Sequence, residues 1–262
     1  MSTVPNHALR QLRAGKLAIG LGLRQARTVD TAQIAKTAGF DWLFIDCEHN
    51  SMGPDSAAQI AAASLAVGVT PLVRVAGLEH WHASRMLDNG AQGIVVPHVD
   101  SADEARRVAA ACRFPPTGKR SMGGGLQQLG FAPMPVGEQA RIVNEETLLV
   151  VMIESSMGVE NCDAIAAVPG IDALLIGTND FCFELGIPGK FDDPKVADAY
   201  KKVIAACRKH GKFPGMGGMY TPELLERHIN MGVQLVLSGS DFSLLLQAAT
   251  ARATLVRGFE KK

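Results

Sequence analysis

Short, almost wholly apolar runs alternate with amphipathic stretches along the entire chain. The runs at 17–21, 42–46, 71–75, 93–97, 148–153, 173–177, 213–216 and 235–238 predict eight strands. Apolar positions at helical spacing predict helices over 28–38, 55–67, 80–89, 102–112, 159–168, 194–210, 222–231 and 242–257. Strands with no polar alternation suit a parallel sheet covered on both faces. Strand and helix alternate eight times, which predicts a succession of right-handed βαβ units.

A faint internal repeat separates the two ways of arranging such units. Gly39-Phe40-Asp41-Trp42-Leu43-Phe44-Ile45 matches Gly170-Ile171-Asp172-Ala173-Leu174-Leu175-Ile176 in plan. Gly90-Ala91-Gln92-Gly93 and Gly232-Val233-Gln234-Leu235 follow it too. In each, a glycine closes a helix in the left-handed conformation, a polar residue follows, and a buried strand begins. Equivalent units spread over the whole chain favour a closed (β/α)8 barrel, an α/β fold, over an open doubly wound sheet whose edge strands meet different neighbours. The 262 residues are close to the ~250 typical of such a barrel, so one domain over 1–262 is expected. The segment 114–146 breaks the rhythm. It is long, rich in Gly and Pro, and weakly periodic, as lids and interface arms often are.

Composition narrows the function classes. Lys plus Arg number 26 against 26 Asp plus Glu, which argues against nucleic acid or a charged membrane as partner. With 47% hydrophobic residues the chain has material for a large core, and disorder is excluded as its main state. No apolar run approaches the ~18–20 residues of a membrane span. Residues 1–16 contain no apolar block of the kind a secretory signal needs, so a cytoplasmic location is expected. The five cysteines are widely spaced with no Cys-x-x-Cys pair, which points to reduced thiols.

In a parallel barrel the chemistry sits at the carboxyl ends of the strands. The second run ends in Asp46-Cys47-Glu48-His49, the third holds Arg74, the fourth ends at His98, and the fifth ends at Glu154. The sixth runs into Gly177-Thr178-Asn179-Asp180, and the seventh into Gly217-Gly218. Glu154 and Asp180 lie about one βα repeat apart, so neighbouring strands aim both at one point. Two carboxylates there need a proton or a cation between them, and oxygen-only ligation suits Mg²⁺ or Mn²⁺. The alternative is that Asp180 caps a helix and Glu154 meets an arginine. Arg74 either meets a buried carboxylate or holds an anionic ligand. Asp46 and His49 have the spacing of an oriented general base, or of a helix cap beside a surface histidine. No lysine ends an apolar run, which disfavours a Schiff base and leaves a metal to polarise a carbonyl. A phosphate cradle after strands seven and eight is disfavoured, because Asp241 would repel the phosphate.

Together and in this order, the residues resemble the class II pyruvate aldolases of the HpcH/HpaI (4-hydroxy-2-oxoheptanedioate aldolase) family. The marks are Gly39-Phe40-Asp41-Trp42-Leu43-Phe44-Ile45-Asp46-x-Glu48-His49, Pro71-Leu72-Val73-Arg74, and Leu87-Asp88-x-Gly90-Ala91-Gln92-Gly93. They continue with Phe114-Pro115-Pro116-x-Gly118-x-Arg120, Ile153-Glu154, and Gly170-Ile171-Asp172 through Gly177-x-x-Asp180. The likeness implies a barrel of the phosphoenolpyruvate/pyruvate-domain type, with its C-terminal helix swapped between subunits of a homo-hexamer. It implies a divalent metal on Glu154 and Asp180, Mg²⁺ or Mn²⁺ with Co²⁺ or Zn²⁺ as alternatives. A 2-oxo acid would chelate that metal, with its carboxylate on the backbone N–H groups of Thr178, Asn179 and Asp180. Arg74 would lie over the keto oxygen. His49, supported by Asp46, would move protons through a metal-bound water. Asp88 matches a carboxylate that reaches in from a neighbouring subunit.

The implied activity is reversible cleavage of 4-hydroxy-2-oxo acids to pyruvate and an aldehyde, through a metal-stabilised enolate. Oxaloacetate decarboxylation or acyl-CoA lyase chemistry is the alternative on the same barrel. Met152 stands where the family usually has Gln or Glu, and Thr178-Asn179 where Pro-Ala is usual. Gly217 and Gly218 replace bulkier apolar residues beside the aldehyde, which predicts a roomier pocket.

Overall fold

The computed structural model describes residues 3–260. The eight strands are β1 (Ala18–Leu23), β2 (Trp42–Asp46), β3 (Thr70–Arg74), β4 (Gly93–Val96), β5 (Leu148–Ile153), β6 (Ala173–Gly177), β7 (Phe213–Gly217) and β8 (Leu235–Ser240). They pair in sequence order, all parallel, and β1 pairs with β8 to close a barrel. Strands β2, β5 and β6 have the bounds the sequence predicted, and the rest agree within two residues at either end. The four repeat glycines Gly39, Gly90, Gly170 and Gly232 all have φ between 89° and 119°, the left-handed conformation expected of them.

The first helix, α1 (His7–Arg13), was not foreseen. It is short, and its apolar positions Ala8, Leu9 and Leu12 are too few to show a period. Its start is fixed by Asn6, whose Oδ1 accepts from the Leu9 N–H at 2.9 Å while its amide donates to the Gln92 and Glu146 carbonyls. Next come α2 (Asp30–Thr37), α3 (Pro54–Val67), α4 (His80–Asp88) and α5 (Ala102–Cys112). The irregular stretch 114–146 holds a further helix, α6 (Val136–Glu146). Only Val143 of this helix is buried, and the Gly- and Pro-rich stretch that leads into it hid an otherwise amphipathic helix. The helix expected over 159–168 is broken into α7 (Ser156–Glu160) and α8 (Cys162–Ala166). Asn161, at the break, donates its side-chain amide to the Asp100 carbonyl at 2.7 Å, a local bond of the kind that interrupts helices. A short helix, α9 (Thr178–Glu184), was also unforeseen, because it directly continues the apolar run of β6. The chain ends with α10 (Pro194–His210), α11 (Pro222–Met231) and α12 (Asp241–Arg257). No helix among the described residues is long and apolar enough to cross a membrane.

Two apolar layers hold the barrel. The outer one lies between the outward strand faces and the helices, for example Leu43, Val73, Ile94, Ile60 and Leu87. The inner one fills the bore with Trp42, Phe44, Leu72, Val95, Leu148 and Leu175, and α1 closes its lower end with Ala8, Leu9 and Leu12. The bore is a packed core there, not a channel. Trp42 is fully buried and donates its indole N–H to the Ala18 carbonyl at 3.1 Å. Its register partner on β1 is Gly20, where a Cβ would lie 2.2 Å from the indole ring. Large and small residues therefore interlock across β1 and β2.

Gly20→Ala is expected to destabilise the protein by about 1–3 kcal/mol through overpacking against the rigid indole. Gly217→Ala is the control: its Cβ meets Leu237 at an ordinary 3.4 Å, so its effect should stay within about 0.5 kcal/mol. Denaturant unfolding of both variants checks the contrast, and equal losses would contradict it.

Candidate active site

At the carboxyl ends of the strands lies a cavity of about 120 Å³. Its apolar floor is the top layer of the bore, Phe44, Met152, Leu175 and Leu237. Its polar wall contains Asp46, His49, Arg74, Glu154, Thr178, Asn179 and Asp180, whereas Glu48, His98 and Asp88 do not line it.

Asp46 and Arg74 end β2 and β3 and are register partners. The pair is bidentate: Arg74 Nε donates to Asp46 Oδ1 at 2.9 Å and Nη2 to Oδ2 at 2.7 Å. Arg74 Nη1 lies 2.9 Å from Glu48 Oε2, and the guanidinium lies over the Phe44 ring, 4.9 Å from its centre. Both partners are buried. Burial alone would raise the Asp46 carboxyl, but the bond and charge of Arg74, with the N–H groups of Glu48 and His49, hold it below the ordinary carboxylate range. Of the two readings of Arg74, the buried carboxylate is therefore realised, yet the side chain still faces the cavity. A guanidinium carries five N–H donors, so two remain free for a ligand.

The expected support of the His49 ring by Asp46 is not what the side chains do. Asp46 Oδ1 accepts the His49 backbone N–H at 3.4 Å, its remaining capacity being taken by Arg74. The His49 ring instead has Nε2 3.6 Å from Glu48 Oε2 and is 46% exposed at the cavity wall. Charge pairing inside a buried pair outweighed the i, i+3 spacing.

Glu154 directly follows β5, Asp180 lies in the first turn of α9 just past the adjacent strand β6, and the two line the cavity together. Glu154 is 3% exposed. Its Oε2 accepts the His98 backbone N–H at 2.9 Å, with the His98 ring Nδ1 at 3.4 Å. Desolvation pushes its carboxyl from an ordinary 4.5 up to about 7; the His98 bond and charge oppose that rise and Asp180 adds to it. The bond depends on an unusual backbone: His98 has φ of 51°, a conformation that costs a non-glycine residue about 1–3 kcal/mol and that clusters at functional sites. The sequence left His98 ambiguous because backbone strain has no signature in residue type. Gly177 completes the cradle, since a Cβ there would lie 2.3 Å from Glu154 Oε1.

Thr178 is fully buried and ties two strand ends together. Its hydroxyl donates to the Gly217 carbonyl at 2.9 Å and accepts from the Tyr200 hydroxyl at 2.8 Å. Tyr200 lies inside the helix predicted over 194–210, and nothing in the sequence marks its hydroxyl. Asn179 and Asp180 complete the first turn of α9, and Gly177, lacking a side chain, leaves that turn without a side-chain cap. Asp88 lies elsewhere on this chain. At the end of α4 it accepts from Arg120 at 2.6 Å, and Arg120 stacks on Phe114 at 4.4 Å. Arg24 and Tyr220 also face the cavity and were missed. Reading the first strand to end at 21 rather than Leu23 hid Arg24 as a strand-end residue.

The sequence profile of the HpcH/HpaI aldolase/citrate lyase family matches residues 24–248. The chain belongs to this family. It is an aldolase-type carbon–carbon lyase. It is 39% identical to a 4-hydroxy-4-methyl-2-oxoglutarate aldolase of Chaetomium globosum, over 98% of this chain and 97% of that one. It is 34% identical to a 4-hydroxy-2-oxo-heptane-1,7-dioate aldolase of Salmonella typhimurium, over 96% and 94% respectively. Among solved structures, an HpcH/HpaI aldolase from Desulfitobacterium hafniense superposes with a TM-score of 0.90 at 30% identity, covering 97% of each chain.

The residues present fit a hard divalent cation. Glu154 is a buried carboxylate beside a second carboxylate, and bringing a cation between them removes the cost of ionising it. Two oxygen donors leave the remaining positions to water and to a chelating ligand, as Mg²⁺ and Mn²⁺ sites do. Among the described residues no group of three or more His, Cys, Asp or Glu side chains converges as a metal site.

The raised pKa of Glu154 acts on stability with a definite sign. A neutral Glu154 contributes fully below about pH 4.5, and the contribution is lost as pH rises through about 7. Glu154→Gln keeps the shape and stays neutral. Metal-free Glu154→Gln protein is expected to match wild type near pH 4.5 and to exceed it by roughly 2–3 kcal/mol at about pH 8. The opposite acid-side trend of Asp46 is common to both proteins and cancels. Saturating Mn²⁺ should close the gap by stabilising wild type alone. Unfolding curves at both pH values, with and without Mn²⁺, test this, and a gap independent of pH would refute it.

Proposed function

We propose that the protein catalyses reversible aldol cleavage of 4-hydroxy-2-oxo acids to pyruvate, or a close 2-oxo acid, and an aldehyde. The observation that carries the reading is the convergence of Glu154, Asp180 and Arg74 on one cavity at the strand ends. When bound by Glu154 and Asp180, a divalent cation, Mg²⁺ or Mn²⁺, supplies a Lewis acid to the 2-oxo acid.

The chain's own residues do the rest. The N–H groups of Thr178, Asn179 and Asp180 receive the substrate carboxylate, and the Tyr200–Thr178–Gly217 ties hold that turn in place. Arg74, fixed by Asp46 and Glu48, directs its two free donors at the keto oxygen. His49 takes the proton from the 4-hydroxyl. The C3–C4 bond then breaks, its electron pair forms the C2=C3 bond, and negative charge develops on the keto oxygen. Arg74 therefore stabilises the transition state more than the ground state. Proton return to C3 gives the methyl group of pyruvate. The closed apolar floor of Phe44, Met152, Leu175 and Leu237 keeps water away from C3.

The reading extends to assembly. α12 has no buried residue and exposes Phe242, Leu244, Leu245, Leu246, Leu255 and Val256. A swapped C-terminal helix in a homo-hexamer would cover them, and would bring Asp88 of a neighbouring copy toward the cavity.

Metal-stripped protein is expected to release pyruvate from a 4-hydroxy-2-oxo acid only after Mg²⁺ or Mn²⁺ is restored. Arg74→Ala should lower kcat about 10²–10³-fold, by analogy with loss of an oxyanion donor. A coupled pyruvate assay measures both, with oxaloacetate as a parallel substrate. Turnover of oxaloacetate without any cleavage of the hydroxy acids would favour a decarboxylase and overturn the aldolase reading.

A further inference from the structure

We propose that Arg24 and Tyr220 form a subsite for a second carboxylate, at the far end of the substrate. They would make the enzyme selective for 4-hydroxy-2-oxo acids that are diacids. The inference rests on the aldolase reading and names the substrate class of that same site.

The cavity wall divides by function. The 2-oxo acid end is served by Arg74 at the end of β3, Glu154 just past β5 and Asp180 in the first turn of α9. The facing wall is built by the ends of β7, β8 and β1. There Gly217, Gly218 and Gly239 present no side chain, and Arg24 and Tyr220 are the long polar groups on the rim. Gly218 has φ of 91°, so the glycine that opens this wall is required by the backbone as well as by the space.

Arg24 is a cation without a committed partner. Its Nε lies 3.9 Å from Asp46 Oδ2, beyond hydrogen-bond reach, and that oxygen is already bound by Arg74. The side chain is 46% exposed, so a surface pair of this kind contributes little by itself. The backbone beneath it, by contrast, is held firmly. Asp241 Oδ1 accepts the Arg24 N–H at 2.8 Å, and Oδ2 accepts those of Gln25 and Ala26 at 2.9 and 2.6 Å. Arg27 Nη2 donates to the Arg24 carbonyl at 3.0 Å and to Ser51 Oγ at 3.2 Å, bracing the loop against the one after β2. The Asp241 carboxylate that disfavoured a phosphate thus serves as a clasp, and its charge is spent on three backbone donors. A fixed loop that carries a loosely paired guanidinium into a cavity is suited to bind an anion.

Tyr220 adds a neutral donor. Its ring is 42% exposed. Burial of the hydroxyl pushes its pKa up, while the Gly218 backbone and the charges of Arg24 and Arg74 pull the other way. The phenol therefore stays protonated and lies in the field of both guanidiniums. One charged fork and one hydroxyl match the two oxygens of a carboxylate.

The test compares 4-hydroxy-2-oxoglutarate, which carries the second acid group, with 4-hydroxy-2-oxopentanoate, which has a methyl group in its place. Wild type with Mn²⁺ should show the higher kcat/KM for the diacid, and the preference should shrink as salt rises. Arg24→Ala should lower the diacid-to-monoacid ratio of kcat/KM about ten- to a hundredfold, chiefly through KM. Arg24→Lys should keep part of the ratio, and Tyr220→Phe should reduce it about three- to tenfold. A ratio unchanged in Arg24→Ala, or equal losses on both substrates, overturns the subsite while the aldolase reading stands. Wild type that cleaves neither substrate overturns the aldolase reading and the subsite with it.

Discussion

A carboxylate buried beside another carboxylate is the constraint on which this molecule turns. The barrel places Glu154 at the end of one strand and Asp180 just past the end of the next, and then removes water from the first. The His98 N–H holds the Glu154 carboxylate in this position, and Gly177 leaves the room for it. Something positive must join them, a proton or a metal ion. The strained backbone of His98 and the bare Cβ position of Gly177 make sense as features that maintain this tension.

The neighbouring acid shows the opposite solution. Asp46 is as deeply buried as Glu154, but it meets Arg74 in register and stays ionised. Two carboxylates of similar burial are thus driven to opposite ends of the acidity scale within one cavity. One is a permanent anchor for a guanidinium. The other holds its proton more tightly than an ordinary carboxylate. Pairs of acids pushed apart in this way mark sites that divide roles between them.

The barrel was legible in the sequence because its signal is repeated. Eight apolar runs and four helix-ending glycines say the same thing, so an error in any one does little harm. The elements that were missed are α1, with too few apolar positions to show a period, α6, which follows a Gly- and Pro-rich stretch, and α9, which has no polar break before it. At the strand ends, residue type and position were enough to foresee that Arg74, Glu154 and Asp180 would line one cavity. They could not reveal that Asp46 would choose Arg74 over the His49 ring, because that choice depends on cross-strand register. Nor could they find Tyr200 or the twist of His98, which act through a single hydroxyl and a single dihedral angle. Arg24 lay within reach, had the first strand been extended by two residues.

The plug at the foot of the bore has a kinetic meaning. With Leu9 and Leu12 of α1 sealing one end against Trp42, the cavity has a single doorway. Under the proposed reaction the keto-acid portion of the substrate would sit deepest, beside the buried Glu154, and the remainder nearer the rim. Traffic through a blind alley is last in, first out, so the carbonyl fragment would depart ahead of the keto-acid fragment. An order of release would then follow from a helix that touches no reacting atom.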